Sequence, residues 1–165
     1  MKINKKIKKF FTLDFATKVI LIEAYFYLAL GRMLKALPFA KVAPTLGVAL
    51  KETSYKKNVS NMKELKNVAN AIQIMSRYTF WESQCLVKAF AGMKMLERRQ
   101  IESTLYLGTA RDEKGSMIAH AWLRSGSFYV SGSEGMEKFA VVGMFAKRVR
   151  NNGVKGDRNE QHLST

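Results

Sequence analysis

The residues of this sequence that are best suited to covalent chemistry are one cysteine and one histidine. Cys85 begins a segment with helical spacing, and His120 lies in the middle of the apolar run 117–123. At the first turn of a helix, backbone N–H groups and the positive end of the helix dipole favour a thiolate over a thiol, and they also stabilise an oxyanion. Cys85 and His120 therefore form a candidate nucleophile and general base.

A structural role is the alternative for each of these residues. An unpaired cysteine is often a small buried hydrophobic residue, and Cys85 taken alone favours that interpretation. His120 shifts the balance, because an unpaired buried imidazole is costly and the other histidine, His162, lies near the end of the chain. The strand period places Ile118, His120 and Trp122 on one face, where Trp122 is expected to shield the site from water.

A group that orients the imidazole is harder to find. The three aspartates, at positions 14, 112 and 157, do not lie on the strand that follows His120. Glu134 comes just after that strand and is the candidate carboxylate, with a solvated loop residue as the alternative interpretation. A backbone carbonyl or an Asn or Gln amide also stays open for this role.

The composition excludes several other kinds of site. The chain has 165 residues, which suits one domain. One cysteine and two histidines exclude a disulfide framework, a multi-thiolate metal centre and a three-histidine zinc site, so we expect no metal and no other cofactor. The glycines between positions 125 and 135 are not followed by the Lys-Ser/Thr pair of a phosphate-binding loop.

The net charge is +15, from 28 Lys and Arg against 13 Asp and Glu. Much of this excess lies near the two ends of the chain, where charged runs are usually solvated, so nucleic acid binding is not expected. The basic, aromatic N-terminus leaves contact with an anionic membrane surface open. Asp14, Lys18 and Glu23 interrupt the first apolar stretch, which argues against a secretion signal or a membrane span and favours a cytoplasmic protein.

Apolar spacing predicts an α+β fold. Helices are expected at 17–37, 64–78 and 85–99, and strands at 104–109, 117–124, 127–131 and 139–145. The first helix is expected to have one wide apolar face, made of Val19, Ile20, Ile22, Tyr25, Phe26, Ala29, Leu30, Met33 and Leu34. Short connections favour antiparallel pairing among the last three strands, with the Cys85 helix packed on the sheet.

This pattern divides the chain into four parts. They are a basic N-terminal segment at 1–12, a helical portion at 13–80, a core of one helix and the predicted strands at 81–147, and a basic tail at 148–165.

Several short motifs resemble one known family when they are taken in order. They are Glu23-Ala24, Gly31-Arg32, Leu37-Pro38-Phe39, Leu46-Gly47, Trp81-x-x-x-Cys85-Leu86, Met95-Leu96-Glu97-Arg98-Arg99, Ser103-Thr104-Leu105-Tyr106-Leu107-Gly108 and His120-Ala121-Trp122-Leu123. Together they resemble the leader peptidases of lasso peptide biosynthesis, which are transglutaminase-like cysteine proteases. The resemblance covers roughly the whole chain apart from both tails, and it implies a transglutaminase/papain-like core.

The resemblance implies a thiol protease that cuts a ribosomally made precursor peptide between its leader and its core. It also implies two partners, a separately encoded companion protein that recognises the leader and an ATP-dependent cyclase that closes the macrolactam. In such an enzyme Cys85 is the nucleophile and His120 is the general base. Trp81 and Trp122 are the candidates for substrate contact.

The sequence departs from the family at the third catalytic position. The family commonly has an aspartate twelve residues after the histidine, and here that residue is Gly132. Either another group orients His120 or a Cys–His dyad suffices, since a thiolate needs less activation than an alkoxide. Two other functions stay open, namely a non-catalytic basic protein that binds nucleic acid or an anionic membrane, and an enzyme that transfers the acyl group to an amine.

Overall fold

The computed structural model describes residues 12–56 and 59–149. The predicted basic segment and basic tail therefore lie almost wholly outside the described residues. Within the described ranges, no helix combines the length and the hydropathy that a membrane span requires.

The first half of the chain folds into helices. Helix α1 spans Phe15–Ala36, the short α2 spans Phe39–Val42 and α3 spans Met62–Met75. The carboxylate of Asp14 caps α1 by accepting a hydrogen bond from the Thr17 backbone N–H at 2.9 Å. The helix ends before Pro38, since a proline disfavours helical backbone in the residue that precedes it.

The second half adds helix α4, Cys85–Arg98, and an antiparallel sheet. The strands are β1 at Val48–Ala49, β2 at Ser103–Arg111, β3 at Met117–Ser125, β4 at Phe128–Ser131 and β5 at Ala140–Lys147. Their order in the sheet is β1-β5-β2-β3-β4. The predicted α+β fold is confirmed.

The order of the last strands corrects one expectation. β3 and β4 form an antiparallel hairpin as expected, but β5 does not pair with β4. It crosses the sheet and pairs with β2, from Ser103 opposite Lys147 to Thr109 opposite Ala140. A short connection favours adjacent pairing, but β2 is a long buried strand whose second edge needs hydrogen-bond partners, and β5 supplies them.

The core lies between α4 and the sheet. Helix α1 packs on the other side of α4, and α3 packs against α1, α4 and β4. Gly92 lets α4 approach β3 closely, because a Cβ at that position would lie 2.7 Å from the Leu123 side chain. The prediction of which apolar residues of α1 are buried is wrong in part. The residues of α1 that enter the core are Leu21, Ala24 and Leu28, whereas most of the expected face is exposed to solvent.

A buried carboxylate fixes α1 to the end of α4. Glu23 accepts two hydrogen bonds from the Arg99 guanidinium, at 2.8 and 2.7 Å. The hydrogen bond to Glu23 raises the pKa of Arg99, although burial opposes this shift. Arg99 also donates to the Met95 carbonyl at 2.9 Å, which satisfies one of the free carbonyls of the last helical turn.

Arg124 is the largest fully buried side chain, and it holds residues 51–56 against the sheet. Its Nε donates to the Tyr106 hydroxyl at 3.0 Å, and that hydroxyl donates to Glu52 at 2.6 Å. Burial and the hydrogen bond to Glu52 raise the pKa of Tyr106. The rest of the Arg124 guanidinium donates, at 2.6 to 3.2 Å, to the backbone carbonyls of Thr53, Ser54 and Gly126.

We expect Arg124→Met to lower the free energy of unfolding by about 3 kcal/mol, because buried carbonyls would lose their donors. Urea denaturation followed by circular dichroism measures this change. The control is Arg111→Met, which removes an exposed guanidinium bonded to the Gly115 carbonyl and should change stability by no more than about 0.5 kcal/mol. Equal losses for the two variants would contradict the clamping role of Arg124.

Candidate active site

Cys85 is the first residue of α4, as the sequence predicted. The residue before it, Gln84, is extended and does not cap the helix with its side chain, so the N–H groups of the first turn keep their capacity to bind an anion. The first turn contains no acidic residue. The thiol is half-buried, and Lys88 lies one turn further along the same helix. This end of α4 therefore favours negative charge.

His120 lies on β3, opposite Gly108 of β2. Its Nε2 is 2.8 Å from the carbonyl oxygen of Gly132. A carbonyl only accepts, so Nε2 carries the hydrogen and donates it, which leaves Nδ1 of the neutral ring with a lone pair. The rings of Trp122 and Phe139 flank the imidazole, with centroids 5.9 and 5.0 Å from it. The imidazole is thus fixed by one hydrogen bond and two ring contacts.

Gly132 reaches this position because it has no side chain. Its φ is +73°, and a Cβ there would collide with the Ala121 carbonyl oxygen and lie 3.0 Å from Trp122 Cα. The close approach brings the end of β4 onto β3, where the Gly132 carbonyl meets the imidazole. The position at which the family commonly has an aspartate therefore supplies an acceptor from the main chain.

Cys85 and His120 line one cavity of about 420 Å³. Its walls come from α3, from the start of α4 and from the end of β4 with the loop that follows. Besides the two residues, the polar lining includes Asn70, Gln73, Lys88, Ser131 and Glu134. Within the described residues the Cys85 thiol makes no hydrogen bond, so thiol and imidazole share a cavity without being paired. Catalytic hydrogen bonds are often loose before substrate binds, and this geometry is compatible with closure on a substrate.

The other predicted site residues lie in different surroundings. Glu134 is exposed and lines the same cavity, while the His120 hydrogen bond goes to Gly132. Trp122 is 5% exposed and stacks between the rings of Tyr106 and His120. Its packing suits the predicted role of keeping water away from the imidazole. The role of Glu134 as orienting carboxylate stays a prediction.

Trp81 packs in the helical half of the molecule. Its ring lies 5.2 Å from that of Tyr25 and 4.6 Å from that of Phe80. Its indole Nε1 is buried and has no hydrogen-bond partner among the described residues. Substrate contact by Trp81 and Trp122 stays a prediction, and neither residue is part of the cavity wall that the described residues form.

Sequence reasoning missed three polar residues of the cavity, Asn70, Gln73 and Lys88. Lys88 follows Cys85 by three residues, so helical spacing alone places it on the same side of α4. Asn70 and Gln73 have the same spacing on α3, and both are exposed polar residues in an otherwise apolar helix pattern. Nothing in the sequence shows that α3 packs beside the start of α4, so these residues were recognisable only as surface positions.

The arrangement is that of the transglutaminase-like fold, in which a cysteine begins a helix that packs on an antiparallel sheet carrying a histidine. Residues 33–144, more than half of the chain, match the family model described as the transglutaminase-like superfamily. The chain therefore belongs to this superfamily, which includes cysteine proteases. The matched region contains Cys85, His120 and Gly132. Comparisons with curated proteins and with solved structures gave no match.

Proposed function

We propose that this protein is a cytoplasmic cysteine peptidase that removes the leader from a lasso peptide precursor. It acts with a companion protein that binds the leader and with a macrolactam-forming cyclase. Membership of the transglutaminase-like superfamily supports the thiol chemistry. The ordered motifs that resemble the leader peptidases support the choice of substrate.

One observation carries the chemical part of the proposal. Cys85, at an uncapped helix N-terminus, and His120, held by the Gly132 carbonyl, line the same cavity. The hydrogen bond at Nε2 leaves Nδ1 as the atom that accepts a proton. Nδ1 then has the lone pair with which a general base accepts a proton, and a main-chain acceptor is sufficient at Nε2 because a thiol is readily activated.

The reaction follows from these positions. His120 Nδ1 takes the proton of the Cys85 thiol, and the thiolate attacks the carbonyl carbon of the scissile peptide bond. The N–H groups of the first turn of α4 stabilise the oxyanion. The C–N bond breaks as His120 returns the proton to the leaving amine, which is the new N-terminus of the core peptide. His120 then removes a proton from water, and hydroxide cleaves the thioester to release the leader with a free carboxylate.

The proposal is tested by incubating a lasso precursor encoded beside this protein with the companion protein and the purified chain. We expect two products whose masses sum to that of the precursor plus one water. Addition of an amine such as cadaverine distinguishes the alternative of acyl transfer, because transfer would give the leader a mass increase of the amine minus water. A precursor that stays intact under these conditions would contradict the proposal.

Alkylation of the thiol provides a test that needs no substrate. We expect iodoacetamide at neutral pH to modify Cys85 of the folded protein at least as fast as in the urea-unfolded chain, because the residue lines a cavity at the start of α4. Mass spectrometry reads this directly, since the chain has 1 cysteine. Slower labelling of the folded protein would favour a buried, inert cysteine and a non-catalytic binding protein.

A further inference from the structure

Helix α1 exposes a continuous row of large apolar side chains on the side opposite the core. We define the α1 stripe as Phe15, Val19, Ile22, Phe26, Leu30, Met33 and Leu37. These residues follow one another at intervals of three or four, which places them along one side of the helix. Phe15 is 81% exposed, Phe26 69% and Met33 67%, so this apolar surface is not covered by the described part of the chain.

The stripe extends along the whole helix, whose 22 residues correspond to a length of about 33 Å. Single exposed apolar residues are ordinary on a protein surface, but a contiguous row of this length marks an interaction surface. The core does not need it, because Leu21, Ala24 and Leu28 already bury the opposite side of α1. The apolar side chains of the stripe are therefore available to bind another molecule.

The charges near the stripe are mostly positive. Lys18 lies beside it, within one turn of Phe15 and Ile22. The other cations of α1 are Arg32 and Lys35, and Lys35 pairs with Glu82 at 3.4 Å. The acidic residue of α1, Glu23, is buried against Arg99, and Asp14 caps the helix ahead of Phe15. The eleven residues that precede the described part contain five lysines together with two isoleucines and two phenylalanines. An apolar face bordered by cations is typical of helices that lie in the interface of an anionic bilayer.

We propose that the α1 stripe docks the protein on an anionic lipid surface. Helix α1 lies parallel to the membrane plane, its apolar side chains enter the boundary between headgroups and acyl chains, and the neighbouring cations contact lipid phosphates. Coulomb attraction to the membrane is large for a chain of net charge +15. This docking does not require the peptidase activity proposed above.

Two other candidates for covering the α1 stripe, a second copy of the chain and the C-terminal residues, fit the observations less well. A second copy of the chain would bring a second charge of +15 against the first, and repulsion between like charges opposes that contact. The last sixteen residues, 150–165, contain two aliphatic residues larger than alanine, Val154 and Leu163, which are too few to cover seven apolar side chains. An anionic membrane satisfies both the apolar row and the positive charge.

The test is co-sedimentation of the full chain with vesicles made of equal parts phosphatidylglycerol and phosphatidylcholine. We expect the wild-type protein to sediment with these vesicles and to bind pure phosphatidylcholine vesicles much more weakly. Phe26→Gln/Met33→Gln removes the centre of the stripe and should weaken partitioning at least about tenfold. Its thermal unfolding midpoint should stay close to that of the wild type, because both residues are exposed.

The matched control is Met117→Gln/Val142→Gln, which changes two side chains of similar exposure, 72% and 64%, on the sheet. We expect it to bind as the wild type does. Wild-type protein that stays in the supernatant would overturn the proposal, as would equal binding by the two double variants, which would assign lipid binding to the basic ends alone. A wild-type dimer that Phe26→Gln/Met33→Gln converts to a monomer would instead place a second copy on the stripe.

Discussion

Cys85→Ala is expected to abolish cleavage of the precursor peptide, lowering the turnover by at least about 10³-fold. The reason is that the acyl-enzyme cannot form without the thiol, whereas the cavity and its oxyanion donors persist. The measurement is the appearance of leader and core by mass spectrometry, with wild-type and variant enzyme at equal concentration. The fold should persist, since alanine replaces a half-buried side chain that makes no hydrogen bond among the described residues.

Ser103→Ala is the control for this variant. Ser103 is fully buried on β2, and its hydroxyl has no hydrogen-bond partner among the described residues. Its replacement removes one buried side-chain atom outside the cavity lining and should leave cleavage within about twofold of the wild type. Continued cleavage by Cys85→Ala would show that the nucleophile is another group, or that the activity comes from a contaminating peptidase.

Gly132→Ala is expected to lower kcat by at least about 10²-fold, because a Cβ at this position displaces the carbonyl that holds His120. The methyl group would collide with the Ala121 carbonyl oxygen, so the end of β4 must move away from β3. The imidazole then loses the acceptor that selects its tautomer. We expect KM to rise as well, because the end of β4 that moves also lines the cavity.

Gly135→Ala is the control that distinguishes displacement of the Gly132 carbonyl from backbone strain. Both glycines have a φ of +73°, but a Cβ on Gly135 would have nothing within 4 Å. Each alanine costs about 1–2 kcal/mol of strain in the left-handed region, whereas the steric collision is specific to Gly132. A similar loss of kcat in both variants would show that loop strain, and not the carbonyl at His120, accounts for the effect.

The helices were predictable because each has a strong local signal. Apolar spacing near 3.6 residues gave α1, α3 and α4 to within a few residues, and Pro38 marked the end of α1. The position of Cys85 at the first residue of α4 followed from the same pattern. Strands β2 to β5 were recognisable from their apolar alternation, so the α+β class was predictable as well, whereas the two-residue β1 was not predicted.

What could not be predicted depends on contacts between distant parts of the chain. The apolar residues of α1 outnumber those that the core can accept, and the sequence does not show that Leu28 enters the core while Phe26 faces solvent. Arginine is rarely buried, so Arg124 gave no signal of its place in the interior. The pairing of β5 with β2 joins segments about 40 residues apart, which local periodicity does not report.

The sequence left a backbone carbonyl open as the acceptor at His120, but it could not show which carbonyl this is. A main-chain carbonyl carries no side-chain signature, and its place is set by the φ of Gly132 and by the fit of β4 against β3. A search for a carboxylate therefore stops at Glu134, a residue with the right functional group two positions further along the chain. The resemblance drew attention to position 132, where the family commonly has an aspartate and this chain has a glycine.

The Gly132 carbonyl has a consequence for the dependence of activity on acidity. An amide carbonyl has no proton to gain or lose across the range in which the protein stays folded, so the hydrogen bond at Nε2 is the same at every working pH. A carboxylate in that place would add its own titration, and its negative charge would stabilise an imidazolium more than a neutral dipole does. The orientation of the imidazole therefore does not depend on whether an acidic side chain is protonated.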